Sequence, residues 1–284
     1  MIRIISLLII LFFVITAFAQ KNPAYILFNT KGNKVSYEKM IRKLKQSDVI
    51  LFGEFHDNPI SHWLQLELIT SLSEEHELTL GAEMIETDNQ VFLDQYLAGE
   101  INEKELDSLA RLWRNYHTDY APLVDFAKEH DIRFIGTNVP RRFASMVYRN
   151  GFGVLDSLTD REKGWMATLP IAYDPQLPGY QKMLEMGGGH GGENLPKAQA
   201  IKDATMAEFI HKNIEDGKLF VHFNGSYHSD NYEGILWYLK RLDPDREYRT
   251  ITTVMQEDVK RLEEEYEGRA DFIICVPENM TRTY

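Results

Sequence analysis

Val49-Ile50-Leu51-Phe52-Gly53-Glu54-Phe55-His56-Asp57-Asn58-Pro59 is the stretch from which the fold is read. Four consecutive apolar residues ending at a glycine fit a strand buried on both faces. Asn58 before Pro59 fits the cap and first residue of a helix. Glu54 and His56 therefore fall on a tight strand-to-helix connection. In open α/β sheets, ligands bind at such connections, off the carboxyl ends of the strands. A carboxylate and an imidazole two residues apart in that position suit metal, acid–base or cofactor chemistry, and the motif alone does not choose among them.

Working outward, strand-like and helix-like segments alternate. Ile60, Leu64, Leu68 and Leu72 form one stripe of a helix over 59–76. Residues 78–82, 132–136, 219–223, 248–254 and 272–276 read as further strands, and 86–96, 103–113, 122–130, 198–214 and 232–242 as helices. This alternation predicts an α/β fold, a mainly parallel sheet flanked by helices on both faces. Residues 140–197 break the rhythm. They show no strand pattern, carry Pro170, Pro175, Pro178 and Pro196, and include a glycine run around His190. They read as a smaller helical insertion subdomain beside the sheet, serving as a lid or a binding lobe.

The chain has 284 residues and a formal net charge of −12. Residues 1–19 have the make-up of a cleavable secretory signal peptide: Arg3, a nearly continuous apolar run over 4–16, and Ala17-Phe18-Ala19 before Gln20. Residues 20–284 are then one exported domain. Loss of Arg3 makes the mature chain more acidic still, which argues against nucleic acid as a partner. The single cysteine, Cys275, lies in an apolar run and reads as a buried strand residue. With no internal disulfide available, stability must come from the core, for which the chain is long enough.

Each central strand ends at polar residues: Glu54 and His56, then Glu83, then Asn138, then Asn224-Gly225-Ser226-Tyr227-His228. In a parallel sheet these ends share one edge. His56, Glu83 and His228 could hold a divalent metal such as Zn, Mn or Fe, with Glu54 left as base. Asn138 and Asn224 also suit turns. His222 reads as packed within its strand, and His62, His76, His117, His130 and His211 as helix-surface or helix-end residues. Asp203 shares a helix face with Gln199, Met206 and Ile210, so it is either an ordinary salt-bridge partner or a support for the site. The glycine run around His190 does not match a phosphate loop and reads as a connector or a clamp. Tyr173, Tyr180, Met183 and Met186 suit a core first, such clusters being more often core, and a porphyrin surround, in which tyrosine can be an axial ligand, second.

Taken together, the Gly53–Pro59 motif, Gly81-Ala82-Glu83-Met84, His190-Gly191-Gly192, residues 198–207 and Asn224-Gly225-Ser226-Tyr227-His228 resemble the ChaN family, haem-binding uptake proteins of the wider Tiki, TraB and erythromycin-esterase superfamily. The likeness runs in order from about residue 30 to 245. It implies haem as ligand, a role in haem or iron uptake at the bacterial envelope, a homodimer, and envelope transport components as partners. It also implies a tyrosine ligand to iron, by position Tyr180 ahead of Tyr173, with His190 assisting. The wider superfamily implies an alternative, a metal-dependent peptidase or esterase-like hydrolase using Glu54, His56, Glu83 and His228. The sequence departs from the lipoprotein pattern of some members because no lipobox cysteine follows the leader. The expected location is the periplasm or cell surface, without a lipid anchor.

Overall fold

All six residues of β2 (Val49–Glu54) are buried, as a strand covered on both faces must be. The computed structural model describes residues 22–186 and 192–284, so the leader and His190 lie outside the described residues. In chain order the elements are β1 (Ile26–Asn29), α1 (Tyr37–Leu44), β2, α2 (Pro59–Ser73), β3 (Leu78–Glu86), α3 (Gln90–Leu97), α4 (Glu103–Leu109), α5 (Ala121–Glu129), β4 (Arg133–Asn138), α6 (Arg141–Asn150), α7 (Asp160–Lys163), α8 (Pro178–Met186), α9 (Asn194–Lys212), β5 (Leu219–Gly225), α10 (Ile235–Leu242), β6 (Tyr248–Gln256) and β7 (Phe272–Pro277). The strands form one seven-stranded sheet in the order β1-β7-β6-β2-β5-β3-β4. It is parallel throughout except where β1 runs antiparallel to β7.

Alternation along the strands builds the two layers. Ile50 and Phe52 join Leu80, Val221 and Phe223 beneath α1, α2 and α5. Val49 and Leu51 point the other way and join Ile135 and Phe220 beneath α6, α9 and α10. Each such fully buried Leu, Ile or Phe contributes roughly 1.5–3 kcal/mol. The predicted α/β fold is the one found. The edge of β4 is covered by a side chain: Gln90 Nε2 donates to the Phe134 carbonyl at 2.9 Å, and the Gly136 N–H donates to Gln90 Oε1 at 2.6 Å. Pairing an edge in this way removes a template for strand addition.

Three differences from the sequence reading matter. The short edge strand β1 and helix α1 are additional elements. β3 continues to Glu86, so Glu83 lies inside the strand, beside a register shift with β4 between Ala82 and Glu86. Within 140–197 the structure shows α6, α7 and α8 and no strand among the described residues, but α6 packs against α9 in the main core through Phe143, Ala144 and Val147. No helix among the described residues is long and apolar enough to cross a membrane.

Candidate functional site: a strand-end cleft

The carboxyl ends of β2, β3 and β5 meet at one edge because these three strands are neighbours in the sheet. The β2 end turns sharply into α2. Asn58 caps that helix, its side chain accepting from the Ser61 N–H at 2.9 Å, with Pro59 following as anticipated. Two glycines permit the close packing here. A Cβ on Gly53 would come within 2.9 Å of Ser226 Cα, and one on Gly225 within 2.8 Å of the His56 ring.

Glu54 is buried at the strand end and is gripped from several sides. Tyr120 donates its hydroxyl to Oε1 at 2.6 Å, Gln65 donates to Oε2, and His62 Nδ1 lies 3.5 Å from Oε2. His56 places Nδ1 2.9 Å from Glu54 Oε1. With Nδ1–H donating to that carboxylate, Nε2 is the basic nitrogen, and it is the one beside Gly225. Burial lowers the His56 pKa, but the Glu54 hydrogen bond and the charges of Glu83 and Glu54 more than offset this, so the net shift is upward. Trp113 packs edge-on against the ring, with centroids 4.8 Å apart.

The second half of the edge is a buried three-residue chain. His228 Nε2 lies 3.1 Å from Glu83 Oε1, and Nδ1 donates to Asp203. The Gly225 N–H donates to Glu83 Oε2 at 2.8 Å. The Gln199 side-chain amide lies 2.9 Å from His228 Nδ1, and its carbonyl oxygen is the fitting partner for a protonated ring. Burial opposes charge on His228, yet the two carboxylates outweigh it and push its pKa up to about 9. Glu83 is also opposed by burial but is held well below the usual carboxylate range by His228. Asp203 moves upward because burial outweighs its His228 contact. An imidazolium between two carboxylates results.

The cluster opens into a cleft of about 550 Å³ lined by Glu54, Phe55, His56, Met183, Leu195, Gln199, Gly225, Ser226, Tyr227 and His228. Its size falls in the range of cofactor sites. Glu54, His56 and His228 line it, and Glu83 stands directly behind Gly225. The expected metal set is not formed. Among the described residues, no group of three His, Cys, Asp or Glu side chains is placed to hold a metal ion. His228 directs both ring nitrogens to carboxylates, Nε2 to Glu83 and Nδ1 to Asp203.

Tyr180 does not line this cleft. It is 4 % exposed, donates its hydroxyl to Asp203 Oδ2 at 3.4 Å, and has its pKa raised by burial and by Asp203. Tyr173 stacks on it, with centroids 5.5 Å apart. The tyrosine that does line the cleft is Tyr227, 41 % exposed, in the same pentapeptide as His228. His222 is fully buried, as expected, between Thr137 Oγ1 at 2.7 Å and Asn224 Oδ1 at 3.1 Å. Asn224 also donates to Ser229 Oγ at 3.0 Å and so holds the turn. Asn138 is buried at the end of β4, its Oδ1 without a partner among the described residues. His62 differs from its surface reading: it is 6 % exposed, with Nε2 3.1 Å from the His56 carbonyl. Tyr120, Gln65, Asn115 and Asp119, which steady the Glu54–His56 end, carry no local sequence signal. Only the fold brings them there.

A mainly parallel sheet with a ligand-sized cleft at its carboxyl edge, built on the Gly53–Pro59 turn, defines an α/β protein with its candidate site at the strand ends. The chain belongs to the family described as "Haem-binding uptake, Tiki superfamily, ChaN", whose profile matches residues 40–239. Among solved structures it is similar to ChaN of Campylobacter jejuni, reported with cofacial haem binding, at 20 % identity and a TM-score of 0.66, covering 90 % of this chain and 97 % of that one. A Bacillus cereus protein is similar at 12 % identity and a TM-score of 0.51, covering 89 % of this chain and 94 % of that one. At these identities the likeness shows the fold. A comparison with curated proteins finds no match.

Proposed function

We propose that the protein binds haem in the strand-end cleft and acts in haem or iron uptake as an exported protein of the periplasm or cell surface. The observation that carries this reading is the cleft itself: Phe55, Met183 and Leu195 give an apolar wall, and Tyr227 and His56 set a phenol and an imidazole into it. These donors fit haem, for which tyrosine and histidine are both iron ligands. Tyr227 is the better-placed oxygen donor than Tyr180 or Tyr173, because it alone of the three reaches the cleft. When bound, haem supplies a ferric centre and a flat apolar face. Tyr227 must release its proton to ligate, and burial together with Glu233 and Asp230 raises its pKa. His56, backed by Glu54, presents Nε2 as an acceptor in the same wall. The reading extends to a homodimer, with envelope transport components as onward partners.

Titration with haemin, followed by absorbance, tests the proposal. A saturable Soret shift is expected, altered in Tyr227→Phe and kept in Tyr180→Phe. A wild-type protein that gives no shift overturns the reading.

A second reading is favoured by one observation, the hydrogen bond from His56 Nδ1 to buried Glu54, which leaves Nε2 basic at the cleft wall. That pair could activate a water in ester or amide hydrolysis. It needs no metal. Hydrolysis of an activated ester that persists in chelator and is lost in His56→Ala would support it; no hydrolysis above the His56→Ala background would remove it.

A further inference from the structure

We propose that Arg282, Thr283 and Tyr284, which follow β7, form a clasp that fixes the turn carrying His56, and so act as positioning residues for its imidazole. Both readings of the site use that ring, and the inference depends on neither.

The turn needs outside partners. Residues 55–58 make a tight turn, closed by the Asn58 N–H donating to the Phe55 carbonyl at 2.9 Å, with His56 and Asp57 at its centre. These central residues lie between the end of β2 and the cap of α2, where no strand ladder or helix bond takes up their carbonyls. Residues remote in sequence take them instead. Asn115 Nδ2 donates to the His56 carbonyl at 2.9 Å. The Thr283 N–H donates to the Asp57 carbonyl at 3.0 Å.

The segment after β7 grips the turn further. Arg282 Nη1 donates to Asp57 Oδ2 at 2.7 Å. The Asp57 side chain is only 18 % exposed, so its carboxylate needs that partner. Thr283 Oγ1 donates to Asp119 Oδ1 at 3.2 Å. Asp119 Oδ2 in turn accepts from the Asn115 amide that holds the His56 carbonyl. The Tyr284 ring centroid lies 5.7 Å from the Arg114 guanidinium, next in sequence to the Trp113 that packs on the His56 ring. One route from the segment to His56 therefore runs through Asp57, and another through Asp119 and Asn115.

Sheet order explains why the segment arrives here. β6 lies between β7 and β2, and these strands run parallel. Chain leaving the carboxyl end of β7 crosses that of β6 and meets the turn after β2. Met280 packs on the main core on the way, and Arg282 Nη2 passes 3.9 Å from the Met255 sulfur of β6.

The test is read on the ligand-free full chain. Arg282 is exposed, so Arg282→Gln should leave the core intact. Hydrogen exchange followed by mass spectrometry should show residues 55–58 exchanging about fivefold faster, with β5 and β6 unchanged. Arg282→Lys, which keeps the charge, should restore most of the protection. Thr283→Pro removes the N–H given to Asp57 and should act in the same direction as Arg282→Gln. In protein carrying carbon-13-labelled histidine, the order parameter of the His56 ring C–H should fall in Arg282→Gln, whereas that of buried His222 should hold. Unchanged exchange at the turn in both Arg282→Gln and Thr283→Pro overturns the proposal. So does faster exchange spread evenly over the sheet, which marks a general loss of stability. A His56 ring as rigid in Arg282→Gln as in wild type overturns it equally.

Discussion

Replacing Asp203 with asparagine should flatten the alkaline limb of the protein's stability curve. His228 has a folded pKa of about 9 against about 6.5 for a free histidine. The group is buried, so solvent screening takes little away. At 1.36 kcal/mol per unit the shift is worth roughly 3 kcal/mol. The folded pKa is raised, so this stabilisation is fully present below about pH 6.5 and is lost as pH rises through about 9. Two carboxylates produce it, and Asp203→Asn would leave only Glu83. The variant should lose roughly 1–2 kcal/mol near pH 6 and little near pH 10. Urea unfolding at several pH values measures this directly, with the wild-type curve falling more steeply than the variant's on the alkaline side. Parallel curves, offset equally at acid and alkaline pH, would refute the charged imidazole between Glu83 and Asp203.

Other consequences are equally open to measurement. Burial holds His222 neutral, with a pKa lowered to about 4; the unfolded chain takes up that proton first, so stability should fall as pH drops from about 6.5 towards 4, and His222→Gln should show a shallower acid limb in the same unfolding assay. Gly225→Ala drives a methyl to within 2.8 Å of the His56 ring; it should cost about 1–3 kcal/mol and weaken haemin binding, read by thermal melts and titration. Asn58→Ala removes the cap of α2 and should cost about 1 kcal/mol, with the midpoint of urea unfolding shifted and its slope unchanged.

What was legible in the sequence was whatever local pattern controls. The apolar run before Gly53, the Asn58-Pro59 cap and the helix–strand alternation led directly to the sheet and to its functional edge. Convergence of Glu54, His56, Glu83 and His228 followed from parallel strands alone. What could not be read depended on side-chain direction and on partners remote in sequence. Asp203 claims His228 Nδ1 from 25 positions away. Tyr120 reaches Glu54 across 66 positions. Tyr180 and Tyr227 look alike as residues, but α9 and α10 bury the first, whereas the turn after β5 exposes the second to the cleft. His62 misled because its helix is apolar around much of its circumference, so the stripe did not reveal which face meets the Gly53–Pro59 turn.

The most direct test is a crystal structure of the protein loaded with haem. The porphyrin is expected in the strand-end cleft, its iron ligated by Tyr227 and its edge beside Met183 and His56. A porphyrin bound elsewhere on the surface, or an iron ligated by Tyr180 or Tyr173, would contradict this.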